Sequence, residues 1–258
     1  MEIEKLAREL AQERIATLDV NGIPVAVIPE GYQVHDLERF CDGPVRIKRK
    51  LTTAFSDSFV RYVSIFQKTD TRMYGSLSGK LSAVIDDHDA SGDAAWNDHI
   101  IDLVLRHSDE FRIWSALANN APCSQTAFLD VLRDRRGDVV SMQGADLLSL
   151  IQNFRATKNA SFRSMRNIDN GDVAFEYSQE TRGAGTLQVP EEIKLMIPIF
   201  EGEPPEDVVL RLRFEIEEGV LKFFITIAQR ELLVKNAVKA AFDRVEKSLS
   251  TVPMFFRE

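Results

Sequence analysis

Between Val208 and Ala228, in VVLRLRFEIEEGVLKFFITIA, apolar residues alternate with others on both sides of a Glu-Gly step. Val208, Leu210, Leu212, Phe214 and Ile216 share one face of an extended chain, and Leu221, Phe223, Ile225 and Ile227 share the matching face of the next. A two-residue loop at Glu218-Gly219 sets Ile216 opposite Leu221, Phe214 opposite Phe223, Leu212 opposite Ile225 and Leu210 opposite Ile227. The same register puts Glu215 across from Lys222 and Arg213 across from Phe224, an opposite-charge pair and a cation–π pair on the outer face. A slip of one residue ruins both faces, so the pattern specifies a half-buried antiparallel hairpin.

The rest of the chain divides by the same criterion. Residues 1–16 carry a narrow helical stripe of Ile3, Leu6, Leu10, Ala11 and Ile15 among charges. Asn21-Gly22 between two apolar segments is a hairpin signal, and Pro24, lacking an amide hydrogen, places its arm at a sheet edge. Val45 to Leu51 alternates as a strand, and a short helix starting near Ser56 or Asp57 buries Phe59, Val60, Val63 and Phe66. Residues 72–86 read as two short strands or one bent strand. A polar loop around Asp86 to His99 follows, with Trp96 as its packing anchor, before a strand through Ile101, Leu103 and Leu105. From Ser108 to Phe154 the spacing is helical; Asp172 to Tyr177 and Pro190 to Phe200 return to strand. A last helix, about Gln229 to Leu249, lines Leu233, Val234, Ala237, Val238, Ala241, Val245 and Leu249 along one side to cover a sheet.

Hairpins outnumber strand-helix-strand units, so the expected class is α+β: mainly antiparallel sheets with a helical middle section and helices at both termini. We expect a single domain over residues 1–258, with a helical subdomain near 108–166 as the subdivision the pattern offers.

At 258 residues and 44% hydrophobic composition the chain can fill a proper core. Its formal charge of -8 argues against a surface that binds nucleic acid wholesale and leaves room only for a local basic patch. Two cysteines, Cys41 and Cys123, exclude a disulfide framework or an all-thiolate zinc site. No apolar run approaches the ~20 residues of a membrane span, and the charged amino-terminal stretch does not read as a secretory signal. The expected location is the cytoplasm, with no membrane partner.

Candidate chemistry concentrates in two places. Asp86-Asp87-His88-Asp89, followed by Asp93, Asp98 and His99, is the densest group of potential metal ligands, with Asp87, His88 and His99 as the set to examine. It lacks the frames of a calcium loop or a helical zinc site, and a solvated acidic connection explains the same composition. Asn153 to Asn167 carries Arg155, Lys158, Arg163 and Arg166 without an acid, interleaved with Phe154 and Phe162. Guanidinium groups there would contact phosphates while the rings stack on unpaired bases; a contact with the chain's own surplus carboxylates is the alternative. Arg46, Lys48 and Lys50 form a second basic patch, which also suits a solvated outer strand face that discourages edge pairing. Gly183-x-Gly185 lacks the rest of a phosphate cradle, and no serine or cysteine sits in a nucleophile motif, so neither a catalytic residue nor a cofactor is expected.

Ile28-Pro29-Glu30-Gly31-Tyr32 with His35, Leu37 and Glu38, Ser58-Phe59 with Tyr62-Val63, the segment Trp96 to Trp114, Gln125 to Phe128, Val189-Pro190 and the closing Leu212-Arg213 hairpin together carry a family likeness. In the order of these features the chain resembles the YfdQ-like family of phage and prophage proteins. The resemblance implies a phage-encoded accessory protein of the bacterial cytoplasm and supplies no catalytic residues. The expectation is therefore a non-enzymatic protein acting by binding, homo-oligomeric, with a host or phage protein as partner. Two alternatives stand beside it: a single-stranded nucleic-acid accessory using residues 153–167, and a metal-dependent enzyme using the Asp86–His99 loop.

Overall fold

The computed structural model describes residues 16–20, 23–27, 43, 46–89, 91–92, 94–141, 144–153, 165–166, 173–177, 185–217 and 220–257. Contacts divide the chain into two units, Met1–Ile47 and Lys48–Glu258. In the first, β1 (Ala16–Val20) and β2 (Ile23–Val27) pair antiparallel from Ala16 opposite Val27 to Val20 opposite Ile23, the register expected of an Asn21-Gly22 loop. The expected helix over 1–16 lies outside the described residues, apart from Ala16, which opens β1.

The second unit runs β3 (Arg49–Thr53), α1 (Ser56–Phe66), β4 (Arg72–Ser76), β5 (Lys80–Val84), β6 (His99–Val104) and α2 (Asp109–Leu117). Next come β7 (Asn119–Ser124), α3 (Gln125–Asp134), a 3₁₀ turn at Arg136–Asp138, α4 (Gly144–Asn153) and β8 (Met165–Arg166). It continues with β9 (Val173–Tyr177), β10 (Gly185–Val189), β11 (Glu192–Pro198), β12 (Pro205–Glu217), β13 (Val220–Ile227), α5 (Arg230–Ser248) and β14 (Met254–Arg257). The class is α+β. Two sheets carry the core: the antiparallel β11-β12-β13-β7, and β14-β4-β5-β6-β3, whose two outer strands are parallel to their neighbours. The short β10-β9-β8 sheet is antiparallel.

The β12–β13 ladder has the register derived from the alternation: Leu210 opposite Ile227, Leu212 opposite Ile225, Phe214 opposite Phe223 and Ile216 opposite Leu221. On the other face the Arg213 guanidinium lies 5.8 Å from the Phe224 ring centre. α2 and α3 pack on the buried side of this sheet, and Phe128 of α3 meets Phe223 at 5.4 Å between ring centres. Both helices begin at a serine whose hydroxyl accepts an amide of the first turn: Ser108 from Phe111 and Ser124 from Ala127. Trp114, fully buried, donates its ring N–H to Asp138 at 2.8 Å, which ties α2 to the 3₁₀ turn.

Three expectations need correction, and one pair of alternatives is decided. The strand placed at Val45 to Leu51 is Arg49–Thr53, because its pairing with β6 begins at Arg49 opposite His99. The stretch from Ser108 to Phe154 is not continuously helical, for Asn119–Ser124 forms β7 and pairs with β13 from Ser124 opposite Lys222. Residues NNAPCS have no strand alternation, and backbone hydrogen bonding to the free side of β13 overrides that lack of pattern. Trp96 is 74% exposed and so does not anchor its loop by burial. The bent-strand option for 72–86 gives way to two strands, since Ser76-Leu77-Ser78-Gly79 turns back with Gly79 at φ 91°, a conformation open to glycine.

α1 and α5 lie on one face of the five-stranded sheet. Val238 sits 3.9 Å from the Cβ position of Gly79, and Phe242 meets Phe256 of β14 at 6.3 Å. The two sheets join where β6 runs on to His107, which bridges to Phe200 just past β11 and stacks on its ring at 5.1 Å. Ser108 closes the junction, donating its hydroxyl to Pro198 O and its amide to Ile199 O. Among the described residues no helix is long and apolar enough to cross a membrane.

The ladder makes a direct prediction. Phe223→Ala, which removes a ring with no exposure, should cost about 3–5 kcal/mol in urea unfolding, whereas Phe224→Ala on the outer face should cost about 1 kcal/mol or less. A register shifted by one residue would reverse the two costs.

Candidate functional site

Strand periodicity gives the five-stranded sheet two unlike faces. Met73, Gly75, Leu81, Ala83, His99, Ile101 and Leu103 are buried beneath α1 and α5, while the residues between them, Asp102 excepted, are partly or fully exposed. That second, open face is assembled by the pairing register into rows. The central row runs Phe255–Tyr74–Ser82–Asp102–Thr52 across all five strands, about 19 Å at ordinary strand spacing. On one side of it lies Arg72–Val84–Ile100–Lys50, and on the other Ser76–Lys80–Val104.

The polar groups of this face are held in place. Asp102, 5% exposed, accepts the Ser82 hydroxyl at 2.5 Å and meets the Lys80 ammonium at 3.1 Å. Asp87, also 5% exposed, accepts the Tyr74 hydroxyl at 2.6 Å and the His88 amide at 2.7 Å. The Phe255 ring is 48% exposed and stacks on Tyr74, centres 5.8 Å apart. Arg72 donates to the carbonyl oxygens of Asp70 and His88, both at 2.7 Å, and also interacts electrostatically with the exposed carboxylate of Asp89 in the adjoining loop. Acids on this face are therefore sunk and bonded, while the side chains of Lys50 and Lys80 are exposed.

The residues singled out for metal chemistry are distributed differently. Asp87 serves the open face, through Tyr74. His99 is 3% exposed on the covered face, where its Nε2 lies 2.7 Å from the Tyr62 hydroxyl and its ring packs edge-on against Phe66. His88 is exposed in the loop, and its Nδ1 accepts the Ala95 amide at 3.0 Å, which occupies that lone pair. Asp86 accepts the successive amides of Asp98 and His99 and so shapes the return of the chain into β6. The structure does not bring Asp87, His88 and His99 together, and no group of three such ligands gathers among the described residues; Asp93 lies outside them. Of the basic candidates, Arg166 ends β8 opposite Val173, and Arg155, Lys158 and Arg163 lie outside the described residues.

Sequence reasoning missed Arg72, Tyr74, Lys80, Ser82, Asp102 and Phe255. Each sits at a regular strand position in RMYGS, KLSAV, HIIDLV or MFFR. The local alternation was visible, but their common face depends on pairings between distant segments, above all β14 with β4 and β3 with β6.

Burial holds the His99 and His107 pKa values below the usual 6.5; Asp86 opposes the effect at His99, as does the Ile199 carbonyl at His107. Their stabilising contribution is complete above pH 6.5 and declines as pH falls below it, because the unfolded chain takes up these protons first. Burial raises the Glu206 carboxyl pKa, which acts in the opposite sense at more acid pH. Thermal melts from pH 7.5 to 5 should show a falling midpoint, and His99→Gln and His107→Gln should each flatten that fall relative to the parent chain.

Comparison with curated proteins and with solved structures finds no match to this chain. A family match, by contrast, spans residues 1–257, and its description reads "Uncharacterized conserved protein (DUF2303)". The chain belongs to that family, and the sheet described above is its fold in this member.

Proposed function

We propose that this protein acts by binding, and that it holds a polyanionic partner on the open face of the five-stranded sheet without turning it over. One observation carries the reading. On a chain of formal charge -8, this face exposes Lys50, sets the half-exposed Lys80 over the Asp102 that it neutralises, and keeps Asp87 sunk and hydrogen-bonded. An anion approaching it meets cations first, and the carboxylates beneath are already engaged.

From the sequence resemblance to YfdQ-like proteins we further propose a phage or prophage accessory role in the bacterial cytoplasm. Homo-oligomer formation belongs to it as well. Apolar side chains remain exposed at Leu232 on α5, at Ile65 on α1 and at Phe256 on β14, where a second copy would bury them.

Immobilised heparin, a polyanion without bases, tests the binding surface. The full chain should be retained at low salt and released as salt rises, and Lys50→Glu combined with Lys80→Gln should abolish retention while the circular dichroism spectrum is unchanged. Passage of the parent chain straight through the column at low salt would overturn the reading. Size-exclusion with light scattering addresses assembly: a mass of at least twice 29.2 kDa is expected at micromolar concentration, and a clean monomer removes the oligomer.

A further inference from the structure

The open face carries more than charge. At one end of its central row the Phe255 ring, 48% exposed, stacks on Tyr74 with ring planes 28° apart, and both belong to strands rather than to a loop. The Tyr74 hydroxyl is fixed by Asp87, so the ring it carries is held in one orientation. Strand geometry sets the Arg72–Lys50 row about 13 Å from the row of Lys80, one on each side of the aromatic row, with Arg72 and Lys50 themselves about 14 Å apart. Apart from the buried Asp102, the row between them is uncharged. A sheet face with an exposed ring at one edge, Arg72 and Lys50 along one flank and Lys80 reaching from the other to Asp102 suits a ligand that has a π-face and an anionic backbone at regular intervals.

We infer that the polyanion held on this face is a single-stranded nucleic acid, with a base stacked on Phe255 and phosphates on Lys50, Lys80 and Arg72; this rests on the binding reading given above. A duplex fits poorly, since its bases are already stacked on one another and a face about 19 Å across is wider than either groove. Ring surfaces and phosphates, which DNA and RNA share, are what the aromatic and cationic groups of this face address. DNA and RNA strands should bind alike.

Fluorescence anisotropy with the full chain tests this, using labelled oligothymidylate, oligouridylate and a blunt duplex of equal length. The two single strands should bind with similar affinity and the duplex at least tenfold more weakly. Phe255→Ala should weaken single-strand binding about tenfold while heparin retention persists. Lys50→Glu, at an exposed edge strand, should weaken both and reduce the salt slope by about 0.7, the single-strand increment for one phosphate contact. Changing Arg155, Lys158, Arg163 and Arg166 together to Ala should leave the affinity unaltered. Absence of oligonucleotide binding with heparin retention intact would overturn this inference and leave the polyanion reading standing, whereas loss of both would remove both. Binding that survives Phe255→Ala and Lys50→Glu but disappears in the fourfold variant would also overturn it, by moving the strand to residues 153–167.

Discussion

A strand exposes alternate residues to opposite sides, and everything else in this molecule depends on the two main sheets keeping that alternation in register. In the four-stranded sheet, Ile193 and Leu195 of β11 face Leu210 and Val208 of β12, and Leu210, Leu212 and Phe214 of β12 face Ile227, Ile225 and Phe223 of β13. α2 and α3 have a surface to pack on only because these chains agree. Moving β12 by one residue would turn Arg211 and Arg213 inward, and no exposed loop could compensate for burying them. The five-stranded sheet obeys the same constraint with a different result, since its second face is left open.

Among the described residues, the five buried polar ones are all hydrogen-bonded, although the Ser115 hydroxyl and Asp70 Oδ1 are buried without a partner. Thr71 donates its hydroxyl to Ile85 O and accepts the Lys68 amide; Ser108 both caps α2 and bonds Pro198 O. Asp87, His99 and Asp102 each meet a hydroxyl, from Tyr74, Tyr62 and Ser82 respectively. These bonds contribute modestly to net stability, but leaving any of the groups unpaired would cost about 1–3 kcal/mol. The same economy explains the acidic loop. Asp86 and Asp87 accept backbone amides on the way into β6, a structural use of carboxylates that composition alone cannot separate from metal binding.

The open face has its character because of that division of labour. Asp87 is committed to the Tyr74 hydroxyl and Asp102 to Ser82 and Lys80, which leaves Lys50 and one stacked aromatic pair exposed at the surface. Lys50 belongs to the basic run visible in the sequence as Arg46, Lys48 and Lys50, and its place on an edge strand suits a charge that discourages strand pairing.

Local information determined a good part of this protein. The β12–β13 register, the helix over Ser56–Phe66, the apolar side of α5 and the α+β class follow from periodicities that a few neighbouring residues carry by themselves. β7 was not legible, because NNAPCS is a strand only through the partner it finds on β13. Nor was the open face. Phe255 and Tyr74 lie far apart in sequence, as do Thr52 and Asp102, and parallel pairings between such segments leave no local pattern to read. Periodicity tells which residues share a side of one strand; only the folded sheet decides which strands stand together, which side the helices cover, and therefore which side chains remain for a partner.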